Sequence, residues 1–396
     1  MIVIIAALLV PLIKNSFTKT KIAVNNDIQL FLSDQCGEFF GKEITENMIT
    51  QFEKKNPGIK IKIADDSEEP DILIFNDGDF NILVSESLLA ELNSFTNYDS
   101  GNLQLAVPLV SFINLLFYNI DILSAAGFDS PPKTREQYTG YAKTISRGES
   151  GAAGASLSLN PDDHQALSRD IFSWIWAGGG AFWTDDSQVN QRPSFNTRSM
   201  INDITFLETL NRDGSLANGV FDLTGKDYIE QFAEGKIALM IASAQAIPYL
   251  REKMGDNAFG ISTVPAPASG GIYQTGLSAI YAAISANSEN PEQAWNFLAF
   301  LAENSSLFCS ELKAVPGIIS SIIPGDYVKN DLFYSKAWEI FQASRIAEMF
   351  TGKPGAVEYE AIFLEELRFC FERSRTAVQT AATIERRWGE VTVDTE

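Results

Sequence analysis

The order of apolar and polar segments predicts an α/β protein built as two lobes, with a helical C-terminal region. Three observations predict it. At 396 residues the chain is too long for one ordinary hydrophobic core. Short apolar runs alternate with amphipathic stretches of helical length, the order that builds a parallel sheet covered by helices. The C-terminal third carries apolar residues at three- and four-residue spacing instead. Hydrophobic residues make up 45% of the chain, enough for a folded protein.

Taken in order, Ile28 to Leu32 read as a strand that ends in polar residues and Gly37. A helix follows, with Ile44, Met48 and Phe52 four residues apart, stopped by Asn56-Pro57-Gly58. Residues 59–63, IKIKI, alternate as a strand does, and PDILIF at 70–75 is a continuous apolar run, suited to a strand covered on both faces. The pattern repeats with NLLFYNIDIL and a helix whose Thr134-x-x-Gln137 resembles a capping box before Tyr138, Tyr141, Ala142 and Ile145. The stretch SRGESGAAGASLS suits a loop between lobes. Next comes WIWAGGGAFW at 174–183, which holds three of the six tryptophans. Trp174 and Trp176 fit a buried helix that the glycines end, whereas Trp183 follows on a loop or short strand.

Further on, Met200, Ile204, Leu207 and Leu210 mark a helix closed near Gly214. Thr224-x-x-Asp227 opens another, ending at Gly235 before the strand KIALMI. FGISTVPAP and LSAIYAAIS give two more strands. Asn290 stands as N-cap with Pro291 at the first helical position of the next helix. The stripes Ala337, Ile340, Phe341 and Phe363, Leu367, Cys370, Phe371 complete the helical end. There are no internal repeats.

Composition narrows the chemistry. With 30 basic and 51 acidic residues the formal charge is −21, which repels nucleic-acid phosphates and anionic membrane surfaces. A neutral or cationic small ligand, or a partner with a basic face, fits better. The one histidine, His164, lies in the polar run NPDDHQ and fits an exposed loop or helix start, so zinc sites and Ser/His triads are starved of a ligand or base. Cys36, Cys309 and Cys370 have no metal spacing and no C-x-x-C; buried thiols and a Cys309–Cys370 disulfide both stay open. Phosphate-loop and dinucleotide signatures are absent. No metal or cofactor is expected. The start, Ile2 to Ile13, is an apolar run of signal-peptide length followed by Lys14, Lys19 and Lys21, so residues 1–25 are expected to be a signal peptide or an N-terminal membrane anchor, with a buried core strand as the alternative.

The segments FEKKNPGIKIKI, PDILIFNDGD, VPLVSFINLLFYNIDILSAAGFDSPPKTREQYTGYAKTI, WIWAGGGAFW, FAEGKIALMIASAQAIPYL, FGISTVPAP and GIYQTGLSAIYAAISANSENPEQAWNFLAFLA occur in the order and spacing of one family. The chain resembles the extracellular solute-binding proteins of ABC importers, in the maltodextrin- and sugar-binding branch. The likeness runs from about Ile28 to the last helices. It implies the two-lobed periplasmic-binding-protein-like fold, the type II flytrap, with lobe 1 at 26–112 plus 278–325 and lobe 2 at 113–277 plus 326–396. Hinge segments are then expected around Phe112 to Leu115 and Gly276 to Ala279. The expected partners are a sugar or polyol and a membrane permease, with no nucleic acid, and the chain is expected to be a monomer outside the cytoplasmic membrane.

A sugar presents hydroxyls at its rim and C–H faces above and below, which carboxylates, amides and flat aromatic rings satisfy. The resemblance places polar contacts in the loops after the first strands: Asp34, Gln35 and Glu38, then Asn76, Asp77 and Asp79. Each of these acids is either a solute contact or a solvated loop charge. Ser111, Phe112 and Gly276 fall at the crossings. Tyr359 matches a segment that often carries an aromatic contact, with helix packing as the alternative, and Trp183 is a further aromatic candidate. Where the family often has a stacking tryptophan after the ALMI strand, this chain has Gln245, which weakens the oligosaccharide reading and leaves a smaller sugar, a polyol or another polar solute. Two other classes stay open. A glycoside hydrolase would need two carboxylates across a cleft, which no spacing selects, and a sensory module would keep the fold without an importer.

Overall fold

The computed structural model describes residues 27–64, 69–95, 105–184, 192–267, 274–316, 326–347, 351–353 and 355–391. The apolar start, and with it the expected signal peptide or anchor, lies outside the described residues. In chain order the elements are β1 (Asp27–Leu32), α1 (Asp34–Lys55), β2 (Lys60–Ile63), β3 (Ile72–Asn76), α2 (Asp77–Ser85), β4 (Val107–Asn119), α3 (Ile120–Ala125), α4 (Arg135–Arg147) and β5 (Ala153–Ala155). A π-helical turn (Leu167–Phe172) runs into α5 (Ser173–Ala177), followed by α6 (Arg198–Arg212), α7 (Gly225–Ala233), β6 (Ile237–Ser243), α8 (Ala246–Met254), β7 (Phe259–Ser262), β8 (Gln274–Thr275) and β9 (Leu277–Ile284). The remainder is α9 (Pro291–Glu303), α10 (Ser305–Leu312), β10 (Val315–Pro316), α11 (Asp326–Asn330), α12 (Leu332–Ala343), β11 (Arg345–Ile346), α13 (Ala356–Phe371) and α14 (Ala377–Trp388).

The chain divides into two compact units. The first holds the described residues up to Phe112, then Ala279–Asn330 and Phe350–Pro354; the second holds Ile113–Ser278, Asp331–Met349 and Gly355–Glu396.

In the first unit β1 pairs in parallel with β2 on one side and β3 on the other, and β9 lies antiparallel to β3. All five residues of β3 are buried, as a strand covered on both faces must be. Asp71, just before it, is buried and fully bonded: its carboxylate accepts from the Gln29 amide (2.9 Å), the Ser288 hydroxyl (2.6 Å) and the Asn290 amide (3.2 Å). That bond set anchors the strand to the start of α9. Pro291 takes the first helical position as expected, but the Asn290 side chain does not cap the helix. Its amide instead donates to the Asp27 carbonyl (3.3 Å), tying α9 to β1. Gly41, at φ 65°, kinks α1 between its first turns and the buried stripe of Met48 and Phe52, whose Phe52 packs on Phe297 and Phe300 of α9.

In the second unit β4 pairs antiparallel with β6 and with β7, and β5 lies parallel to β6. Tyr138, Ala142 and Ile145 of α4, and Met200, Ile204, Leu207 and Leu210 of α6, are buried at the expected spacing. The capping box forms in full at Thr224/Asp227. At Thr134 it forms by half: the hydroxyl accepts from the Gln137 amide (3.2 Å), but the Gln137 side chain reaches one residue further back, to the Lys133 amide (2.8 Å). The glycine- and serine-rich stretch at 146–158 is not a loop between lobes. It lies wholly in the second unit and feeds β5, where a Cβ on Gly154 would overlap the Ala142 backbone of α4. The glycine is there so that the helix can sit on the strand.

Candidate functional site

Trp174 and Trp176 are core, 2% exposed each. The helix that carries them ends as its glycines dictate: Gly178 donates to the Trp174 carbonyl (3.2 Å) and Gly179 turns the chain at φ 75°. Arg135, buried at the head of α4, reinforces that end. Its guanidinium donates to the Trp174 carbonyl, pairs with Asp203 of α6 and lies over the Phe206 ring at 5.3 Å.

Beyond the glycines, Phe182 is buried and Trp183 is only partly covered. Trp183 meets Tyr359 of α13 edge to face, centroids 5.3 Å apart, and Trp388 of α14 at 5.5 Å. Trp388 Nε1 donates to the Tyr359 carbonyl (3.0 Å), and Phe195 and Phe363 close the cluster from behind. So the two aromatic candidates, 176 residues apart in sequence, form one aromatic corner of the second unit. Tyr359 is 8% exposed; burial, with Glu358 beside it, raises its phenol above the ordinary value.

Gln245 sits partly exposed between the carboxyl end of β6 and the head of α8, its amide donating to the Ser243 hydroxyl (3.3 Å). Carboxyl ends of strands are where open α/β sheets hold ligands. Gly276 is buried; its missing Cβ makes room for the Trp176 ring, and its carbonyl accepts from the Asn114 amide (3.4 Å).

In the first unit Asp34, Gln35 and Glu38 follow β1, Asn76 and Asp77 follow β3, and Ser111 and Phe112 lie within β4. Asn76 ends β3 and caps α2, its side chain accepting from the Gly78 amide (2.8 Å) and the Asp79 amide (3.2 Å). Asp77 is 4% exposed, and its carboxylate accepts from the Ala279 amide of β9 at 2.6 Å. Ser111 is buried in register with Val315 of β10, and Phe112 meets Phe39 of α1 edge to face at 5.3 Å. Glu38, one residue before Phe39, is exposed. Asp34 and Gln35 open α1. Cys36 is buried behind them; burial, despite a hydrogen bond with Ser33 and with Asp79 and Asp77 adding, pushes its thiol up to about 12.

Sequence reasoning passed over the charges inside the apolar run LSRDIFSWIW. Arg169 pairs with Asp163 (2.7 Å) and Asp170 (2.6 Å), all three essentially buried. Asp163 also accepts from the Gly225 amide at the head of α7 (2.7 Å). Burial alone would raise the Asp163 carboxyl, but Arg169 and two backbone amides outweigh it and hold it below the usual carboxylate range. A charged pair inside such a run is itself the signal, because buried charges require partners.

His164 is exposed in a turn. All three cysteines are free and buried, and Cys309 and Cys370 belong to different units. Among the described residues there is no group of three or more His, Cys, Asp or Glu placed to hold a metal, and no helix long and apolar enough to cross a membrane.

Two α/β units threaded by strands that pass from one to the other define a periplasmic-binding-protein-like fold. The chain belongs to the bacterial extracellular solute-binding proteins, whose family model matches residues 40–306. It is similar to a protein of Brucella abortus (strain 2308) named as a binding protein, 23% identical over 199 residues, 49% of this chain and 46% of that one. It is also similar to a Deinococcus radiodurans protein named as an ABC transporter-binding protein, 21% identical over 252 residues, 62% of this chain and 59% of that one. The chain spans about half the length of the curated relatives it matches. Among solved structures, an oligosaccharide periplasmic-binding protein of Synechococcus sp. MITs9220 matches with a TM-score of 0.73 at 17% identity, over 92% of this chain and 98% of that one. An ABC transporter solute-binding protein of Thermotoga lettingae TMO, bound with alpha-D-tagatose, gives 0.72 at 17%, over 92% and 99%. UgpB of Mycobacterium tuberculosis, in complex with glycerophosphocholine, gives 0.70 at 17%, over 92% and 98%. At these identities the likeness is one of fold, and it bears out the fold class expected from the segment order.

Proposed function

We propose that the chain is the extracytoplasmic substrate-binding component of an ABC importer. It captures a sugar or similar polar solute by lobe closure and delivers it, as a monomer, to a membrane permease; the apolar start either exports the chain or anchors it at the membrane. The observation that carries this reading is the Trp183–Tyr359 corner. A large indole is left partly uncovered on a scaffold of buried rings, and a flat apolar face held rigid at little entropic cost is what a sugar's C–H face requires. Gln245, at the carboxyl end of β6, supplies an amide for hydroxyls, and Glu38 an exposed carboxylate. The buried candidates Asn76, Asp77, Ser111, Phe112 and Gly276 support the walls rather than meet solute directly. The family match and the tagatose- and glycerophosphocholine-bound neighbours favour a polar, polyhydroxylated guest.

A thermal-shift screen against sugars, polyols, glycerophosphodiesters and amino acids tests the reading. The expected result is a rise in melting temperature for one polyhydroxylated class, growing with ligand concentration as linkage requires, with the ligand recovered unchanged. Turnover of a glycoside would instead favour the hydrolase alternative.

A further inference from the structure

The segment that leads from α6 to α7 holds the chain's one Asn-Gly pair, Asn218–Gly219. The fold requires the glycine. Its φ is 92°, a conformation that L side chains rarely adopt, and a Cβ there would overlap the Leu223 side chain at 2.6 Å. The chain is anchored on both sides of the pair. The Ala155 amide of β5 donates to the Ser215 carbonyl (2.9 Å), and the Ala217 amide donates back to the Ala155 carbonyl (2.8 Å). Beyond the pair, the Leu159 amide donates to the Val220 carbonyl (2.6 Å).

Within the pair the bonding is one-sided. The Asn218 carbonyl accepts from the Tyr228 hydroxyl of α7 (3.4 Å), and the Gly219 carbonyl accepts from the Asp222 amide (2.9 Å) and the Leu223 amide (2.8 Å). Asn218 is exposed, and neither its side chain nor the Gly219 amide has a hydrogen-bond partner among the described residues. The carbonyls hold the turn, while the two groups that can react with each other are left out of the bonding. Glycine carries no side chain to shield its nitrogen, so that nitrogen can reach back to the carboxamide of the residue before it.

We propose that Asn218–Gly219 is a site of self-modification, at which the folded chain converts its own asparagine to aspartate and isoaspartate with water as the co-reactant. The Gly219 nitrogen attacks Asn218 Cγ. A C–N bond forms, the Cγ–Nδ2 bond breaks, and ammonia leaves with the proton taken from the glycine amide. The product is a five-membered cyclic imide. Water then adds to one of its two carbonyl carbons, the C–N bond there breaks, and a proton returns to the nitrogen. Opening at Cγ leaves aspartate on an unchanged backbone. Opening at the main-chain carbonyl carbon leaves isoaspartate: the chain then runs through Cβ and Cγ, one methylene longer, and a carboxylate replaces the carbonyl that Tyr228 bonds. Either product adds a negative charge to a chain already at −21. The extra methylene falls between the anchors at Ala217 and Val220, so isoaspartate loosens the segment from β5 and aspartate does not.

The test incubates the full chain, folded, in mildly alkaline buffer, where the attacking amide gives up its proton more readily. Tandem mass spectrometry with electron-transfer fragmentation follows the peptides and separates isoaspartate from aspartate. Asn257 is the internal control: it is exposed, and the amide of the next residue, Ala258, is held by the Gly255 carbonyl (3.4 Å). Asn218 is expected to convert several-fold faster than Asn257, at a rate that rises with pH, and the aged chain is expected to melt at a lower temperature than the fresh one. Asn218→Gln, whose longer side chain disfavours the five-membered ring, should abolish both the conversion and the loss on ageing. Asn218→Asp adds the charge without the methylene and should melt with the fresh chain. Conversion at Asn218 in urea but not in the folded chain over the same interval would overturn the proposal, since the fold would then protect the pair. Equal rates at Asn218 and Asn257 would do the same. An Asn218→Asp variant that melts as low as the aged chain would overturn the loosening and assign the loss to charge.

Discussion

At the scale of single residues, Trp183 and Asp77 took opposite courses from the same kind of sequence signal. Both were loop-side candidates; the fold leaves one partly open and buries the other against a backbone amide. Trp183→Ala is expected to raise the dissociation constant of the solute found in the screen about tenfold. An aromatic pairing is worth about 0.5–1.5 kcal/mol beyond area burial, and about 1.4 kcal/mol is a factor of ten. Titration calorimetry reads the change, and Trp183→Phe should recover part of it. Affinity unchanged by the alanine would remove Trp183 from the solute's surroundings. The pairing of Trp183 with Tyr359 was not legible beforehand, because no periodicity links residues so far apart; only the fold brings the loop after α5 to α13.

At the scale of elements, the strands and helices followed from apolar spacing, since burial of one face or two is what each pattern encodes. The bonds between elements did not. Asn290 stands at the cap position, but its side chain makes no cap bond; its Nδ2 donates to the Asp27 carbonyl and ties α9 to β1 instead. Asn114 sat unremarked in VSFINLLFY, although a polar side chain in such a run must find partners when buried. The Asp163–Arg169–Asp170 cluster binds the π-helical turn to the head of α7, and its energetics are testable. Asp163→Ala should cost about 1.5–3 kcal/mol at neutral pH, since Arg169 and the Gly225 amide each lose a charged acceptor while Arg169 keeps Asp170. The sign with pH follows from the depressed carboxyl. Its stabilisation is present above the unfolded value, near 3.9, and is lost as pH falls through the lower folded value. Urea denaturation of the two proteins should therefore show a gap at pH 7 that narrows as the acid range is entered. A gap independent of pH would mean that packing, not charge, holds the turn.

At the scale of the molecule, the fold class was legible from length and from the order of motifs. The bonds that join segments distant in sequence were not, because no apolar period links them. The solute's identity was not legible either: Gln245 in place of a ring argues against a long sugar, but one amide fits many hydroxyls. The proposed function is mechanical: the units draw together on a guest and the guest leaves unaltered. Small-angle X-ray scattering with and without the solute that stabilises the protein tests it most directly. A smaller radius of gyration is expected in the bound state, reversed on dialysis. A radius unchanged at saturating solute would contradict it.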